Sequence, residues 1–272
     1  MKNVVLEDKV NRIINEELGI ADEVSNLTNI IENRLMDLIK NNVYEGNFKV
    51  ETELSSLSVE YVFKDFENED EANGWIAYER GNDGYSYRNN TIYMSIVSIN
   101  GNIDYNDLVD TLQHECTHYW EMKNMGRDLY DSNYQDVVNG IRDRNEYVSM
   151  TYSVIYYSHK NELDAFVSGS YASAMKKGKQ YKNYKEFIID NGVVEPYNEL
   201  KDAIDKMSIL DIEHDILFEF AANKIGCDKN YLAEFIKNTA ELGMEYLLKR
   251  VGKAYTLYLK NKRDWIVPFL LS

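Results

Sequence analysis

Residues 114–118 read His114-Glu115-Cys116-Thr117-His118, and this pentapeptide restricts the fold more than any other stretch of the chain. Two imidazoles four positions apart lie about one turn apart on one helical face, where both can grip a single metal ion. The glutamate after the first histidine points toward that ion and can take a proton from a bound water. The segment therefore has to be helical, and a zinc site also needs a third protein ligand from elsewhere, leaving its fourth position for water. Chance produces such a match roughly 0.005 times per chain of this composition. An accidental motif in an all-helical interaction protein is the weakest of three readings, and it predicts ordinary packing at both histidines.

The periodicity around the motif supplies a setting for it. Val10, Ile13, Ile14 and Leu18, then Ile30, Ile31, Leu35, Leu38 and Ile39, recur at helical spacing and predict two helices separated near 19–26. From Phe48 the period changes to two: Phe48, Val50, Thr52 and Leu54, then Val59, Tyr61 and Phe63, predict a hairpin turning near Ser55-Ser56. A second strand pair is expected at 75–79 and 85–88 around Gly81-Asn82-Asp83-Gly84. Thr91 to Ile99 is a further strand, with Ile92, Met94 and Ile96 on one face. Asp104 is the expected N-cap of the motif helix, spanning 105–125, whose buried stripe is Leu108, Leu112, Cys116 and Tyr119.

After a polar connector to about 145, helices are expected at 146–157 and at 162–177, the latter capped by Asn161. Further helices are expected at 184–191, 196–207, 210–225 and 229–263, the last broken near Gly243. The expected class is α+β, a small, mostly antiparallel sheet packed on the motif helix with additional N- and C-terminal helices. Residues 1–183 would form the core with the N-terminal helices, and 184–272 a C-terminal helical part on the same unit.

The residues leave four candidates for the third ligand: Glu162, Asp164, His159 and His214. Glu162 stands in the first turn of an amphipathic helix, where the helix dipole favours a carboxylate in any case. His159 reads more simply as a connector residue, His214 as a solvated helix position, and Asp164 could instead orient a ligand histidine. A strand, then a helix with H-E-x-x-H, then a later helix opening Asn161-Glu162-Leu163-Asp164-Ala165, resembles the zincin metallopeptidases whose third ligand is a glutamate, the gluzincins. The Glu162–Ala165 segment also resembles the intracellular zincins of bacteria and phages, such as the ImmA/IrrE-like group. The resemblance covers roughly residues 85–175. It implies a zincin-like fold, Zn²⁺ held by His114, His118 and Glu162, and hydrolysis of peptide bonds with Glu115 as general base. Ala165 and Phe166 stand where thermolysin-like enzymes have Ser-Asp, so the subfamily stays open.

A net charge of −16 repels a phosphate backbone, which argues against nucleic acid as partner. The partner expected is a protein or peptide substrate. Two cysteines imply no disulfide framework, and Cys116, turned about 200° from the metal face, reads as a small buried residue. The N-terminus has only a three-residue apolar run and no stretch approaches a membrane span, so no membrane association and a cytoplasmic location are expected. A bias toward Asn, Lys, Ile and Tyr suggests an AT-rich bacterial or phage genome. Among 22 tyrosines the donor that would stabilise an oxyanion is not singled out; Tyr157, His159 and Tyr171 flank the third ligand and are the candidates. The second reading is a phage- or virion-associated binding protein that keeps the zinc for structure and has little proteolytic activity.

Overall fold

The computed structural model describes residues 22–67, 84–86, 90–125 and 134–270. Among them the architecture is α+β, with nine helices and one small mixed sheet. The first expected helix, ahead of Gly19, and the strand expected at 75–79 lie outside the described residues. Contacts group the chain into two units, each discontinuous in sequence. Met1–Arg127, Ser168–Lys179 and Leu257–Ser272 form the first, and Asp128–Val167 with Gln180–Thr256 the second.

In the first unit, helix α1 (Asp22–Lys40) buries Val24, Leu27, Ile31 and Leu35, spaced by three and four residues, and packs along the motif helix α2 (Tyr105–Met125). Strands β1 (Glu45–Glu51) and β2 (Ser56–Phe66) form the expected hairpin, with Glu51 opposite Ser56. Its turn is closed by Thr52 N donating to Ser55 O (2.8 Å) and Ser55 N donating to Thr52 Oγ1 (2.9 Å). Leu57, Val59 and Tyr61 are buried at period two. Strand β3 (Gly84–Ser86) runs antiparallel to β4 (Thr91–Ile99), and β5 (Asn102–Ile103) folds back on the end of β4.

The sheet order is β1-β2-β4-β3 with β5 beside β4; three of the four pairings are antiparallel, as expected, and the parallel one, which the sequence did not announce, is central. β2 and β4 are parallel along nine residue pairs, from Ser58↔Thr91 to Phe66↔Ile99. Parallel neighbours cannot be joined by a tight two-residue turn, so this pairing is not a hairpin. Ile92, Met94 and Ile96 are buried, as the alternation predicts, and helix α2 packs on β4.

The second unit is helical. Helix α3 (Tyr134–Ile141) occupies the stretch that reads as a polar connector; its apolar positions Val137, Val138 and Ile141 are too few to stand out there. Helix α4 (Glu146–Tyr157) is capped by Asn145, whose Oδ1 accepts from Tyr147 N (2.9 Å) and Val148 N (3.1 Å). Helix α5 (Lys160–Lys177) begins two residues before the expected start. The His159 carbonyl accepts from Leu163 N (3.0 Å), so Asn161 lies buried within the first turn rather than capping it. This helix is unbroken; residues through Val167 group with the second unit and those from Ser168 with the first.

Helices α6 (Tyr184–Ile189) and α7 (Val194–Ile209) follow the expected pattern. Helix α8 (Ile216–Ile225) starts six residues later than the apolar period suggests, because Asp215 caps it: Oδ1 accepts from Phe218 N (2.8 Å) and Oδ2 from the Tyr147 hydroxyl (2.8 Å). Helix α9 (Lys229–Leu270) shows no break at Gly243. A Cβ there would lie 2.6 Å from Ser158 Oγ, and Ser158 Oγ donates to Thr239 O (3.1 Å), so this glycine serves a close approach and not a kink. Among the described residues no helix is long and apolar enough to cross a membrane.

Candidate metal centre

The motif helix begins where Asp104 caps it, with Asp104 Oδ1 accepting from Asp107 N (3.2 Å) and the Asp104 carbonyl from Leu108 N (3.1 Å). Leu108, Leu112, Cys116 and Tyr119 form the buried stripe the spacing predicts. Cys116 is fully buried, and burial pushes its thiol up to about 12, so it stays a neutral thiol and packs as a small apolar group.

A chain of buried polar side chains fixes the rotation of this helix. The Thr28 hydroxyl donates to Gln113 Oε1 (2.8 Å), and Gln113 Nε2 donates to Ser168 Oγ (3.2 Å). Ser168 Oγ shares a hydrogen bond of 3.1 Å with Thr117 Oγ1, which also donates to Gln113 O (2.7 Å). Gln113 and Thr117 each immediately precede a motif histidine, so these bonds between α1, α2 and α5 set the direction in which both imidazoles project. One turn before His114, α2 and α5 approach closely. A Cβ on Gly169 would fall 2.2 Å from Asp110 Oδ1 and 2.5 Å from the Asp110 carbonyl oxygen, so only glycine fits there.

On this frame His114, His118 and Glu162, all buried, each present one ligand atom, and the three atoms lie within 4.8 Å of one another. The imidazole Nε2 atoms are 3.0 Å apart and the rings stand at 87°. Two nitrogens bound tetrahedrally at the usual zinc–nitrogen length would be about 3.3 Å apart. Two converging imidazole nitrogens and a buried carboxylate are the donor set of a three-ligand metal site, and the residues fit such an ion. Glu115, the residue after His114 in the chain, is buried as well.

The other candidates for third ligand are placed elsewhere. His159 is exposed, and His214 is exposed and 3.0 Å from Asp211 Oδ2. Asp164, two residues past Glu162 on α5, is held by Arg250 and Tyr246. Of the candidate oxyanion donors, the Tyr157 hydroxyl donates to Glu195 Oε1 (2.6 Å). Tyr171 lies two and a half turns beyond Glu162, on the opposite side of α5, where its hydroxyl accepts from Asn261 Nδ2 (2.7 Å). Burial holds that hydroxyl well above the ordinary tyrosine range. The structure thus brings His114, His118 and Glu162 together and directs Tyr157 and Tyr171 to other partners. Gln113, Thr117, Ser168 and Gly169, which build the frame, carry no sequence signal: hydroxyls, an amide and a glycine in helices are commonplace, and their meaning comes from contacts more than 50 residues apart.

Searches against protein-family models, curated proteins and solved structures find no match, so the site has to be judged on its own geometry.

Proposed function

We propose that this protein is a zinc-dependent metallopeptidase of the zincin type, with His114, His118 and Glu162 as ligands and Glu115 as general base. The observation that carries the reading is the buried convergence of two imidazoles and a carboxylate, where the residue after His114 on the motif helix is the buried Glu115. His114, His118 and Glu162 would hold the zinc, which would supply Lewis-acid activation of a water and of the peptide carbonyl. Glu115 accepts the proton of the attacking water and passes it to the departing amine. Gln113 and Thr117 hold the histidines in register through their bonds to Ser168.

A second reading is zinc retained for structure in a protein with little proteolytic activity. Glu115→Gln separates the two readings, because it removes the base and keeps the ligands. Metal analysis should find about one zinc per chain in wild type and in the variant. Mass-spectrometric profiling of a peptide library should then show cleavage by wild type that the variant loses by about a hundredfold or more. No cleavage by zinc-loaded wild type would leave the structural reading, and no zinc after reconstitution would remove both.

A further inference from the structure

The first turn of a helix is its least restrained part, because its N–H groups have no partners one turn back. Glu162 sits in that turn of α5, yet its carboxylate must be placed to within a fraction of an ångström to join a metal–oxygen bond of about 2.0–2.2 Å. Something outside the turn has to hold it. Helix α9 presents Thr239, Gly243, Tyr246 and Arg250 at successive intervals of four, three and four residues, which places them on one face.

That face seats the chain from Ser158 to Asp164. Ser158 Oγ donates to Thr239 O (3.1 Å), and Ser158 lies against Gly243, where a Cβ would clash. Lys160 Nζ stands 5.6 Å from the centre of the Tyr246 ring, near the range of a cation–π contact. The Tyr246 hydroxyl lies 3.0 Å and 2.9 Å from the two oxygens of Asp164, and Arg250 Nε lies 2.6 Å from Asp164 Oδ1. The Arg250 and Asp164 side chains are only 16% and 19% exposed, so their attraction is screened much less than that of a surface pair.

Asp164 follows Glu162 by two residues, about 200° around the helix, so its carboxylate faces away from the ligand. The pair therefore grips the back of the turn whose front carries the ligand. We propose that Arg250 and Tyr246 are positioning residues for the metal ligand Glu162 and act on it through Asp164. The inference rests on the metal reading of the site. It replaces the role expected of Asp164, orienting a histidine, with that of an anchor point on α9.

The test compares wild type, Glu162→Gln, Arg250→Met, Arg250→Lys and Tyr246→Phe. Zinc affinity is measured by competition with a chromophoric chelator, the visible spectrum of the cobalt-substituted protein is recorded, and metal-free melting and circular dichroism monitor the fold. Loss of zinc from Glu162→Gln tests the metal reading by itself, whatever the other variants do. If Arg250 positions the ligand, Arg250→Met weakens zinc binding by about tenfold or more and alters the cobalt bands, at unchanged helical content. Arg250→Lys, which restores a cation at the Asp164 carboxylate, recovers part of that loss, and Tyr246→Phe shows a smaller loss of the same kind. Zinc affinity within about twofold of wild type in Arg250→Met and Tyr246→Phe overturns the proposal even if both melt earlier, because outer partners that orient a ligand cost more than that when removed. Should Arg250→Met fail to fold, Tyr246→Phe decides alone by the same criterion.

Discussion

Alanine at Gly169 should loosen the metal centre while leaving its helices intact. The added Cβ would start 2.5 Å from the Asp110 carbonyl oxygen and 2.2 Å from Asp110 Oδ1. The carboxylate can swing aside, but the carbonyl belongs to the backbone of α2, so the helices must part by about 0.9 Å to reach an ordinary contact near 3.4 Å. Strain of this kind in a packed interior costs about 1–3 kcal/mol. The same displacement acts on the site: Asp110 lies one turn before His114, and Gly169 lies seven residues beyond Glu162 on the same side of α5. It would also stretch the bonds of Ser168 to Gln113 and Thr117, which begin at 3.2 and 3.1 Å.

The expected result is a melting temperature lower by about 2–10 °C and zinc affinity reduced by about tenfold or more. Chelator competition and thermal melting followed by circular dichroism would measure both. Gly252→Ala is the control. Nothing lies within 4 Å of a Cβ at that helical position, so it should gain about 0.5–1 kcal/mol from helix propensity and leave zinc binding alone. Wild-type zinc affinity and melting in Gly169→Ala would refute the idea that this close approach sets the site.

Metal removal should itself be visible as lost stability: a ligand that binds only the folded state contributes about 2.7 kcal/mol at a hundred times its dissociation constant, so chelation should lower the melting temperature and graded zinc should restore it. A melting temperature independent of zinc would argue against a stoichiometric ion. Burial, and then the neighbouring Glu195 carboxylate, raise the pKa of Glu199, so the folded chain holds this proton more tightly than the unfolded one. Its contribution to stability is therefore full at acid pH and declines as pH rises through the carboxylate range. Glu199→Gln should accordingly raise the melting temperature at pH 7, do so less near pH 4, and do so less in high salt, whereas an equal effect at both pH values would contradict the sign. Native protein should expose one thiol to an aromatic disulfide reagent, at Cys227, and two after denaturation, since Cys116 is fully buried with its thiol near 12. Rapid reaction of both in the native state would show that α2 is not packed as described.

Much of the site is legible in the sequence, because it is written in short intervals. Four-residue spacing places His114 and His118 on one face, Asp104 announces the start of their helix, and period-two runs locate β1, β2 and β4. The helix carrying Glu162 can be located to within two residues, since apolar spacing and a terminal glycine are local signals. Choosing Glu162 over Asp164, His159 and His214 needs more than spacing. Glu162 is the one of the four that joins the buried group with His114 and His118, while Asp164 and His214 have other partners.

The chain's order of residues therefore specifies a set of chemical groups and the local elements that carry them, because capping, alternation and helical period act over a few residues and leave marks at fixed offsets. How those elements meet is settled in three dimensions alone. The parallel pairing of β2 with β4, the contact of Gly169 with Asp110, the Thr28–Gln113–Ser168 chain and the Arg250–Asp164 grip join residues 33 to 86 positions apart. Each partner, taken alone, is an ordinary strand residue, glycine, hydroxyl or charge. Its role follows from packing and desolvation, which depend on which surface is brought against it, and no interval along the chain encodes that.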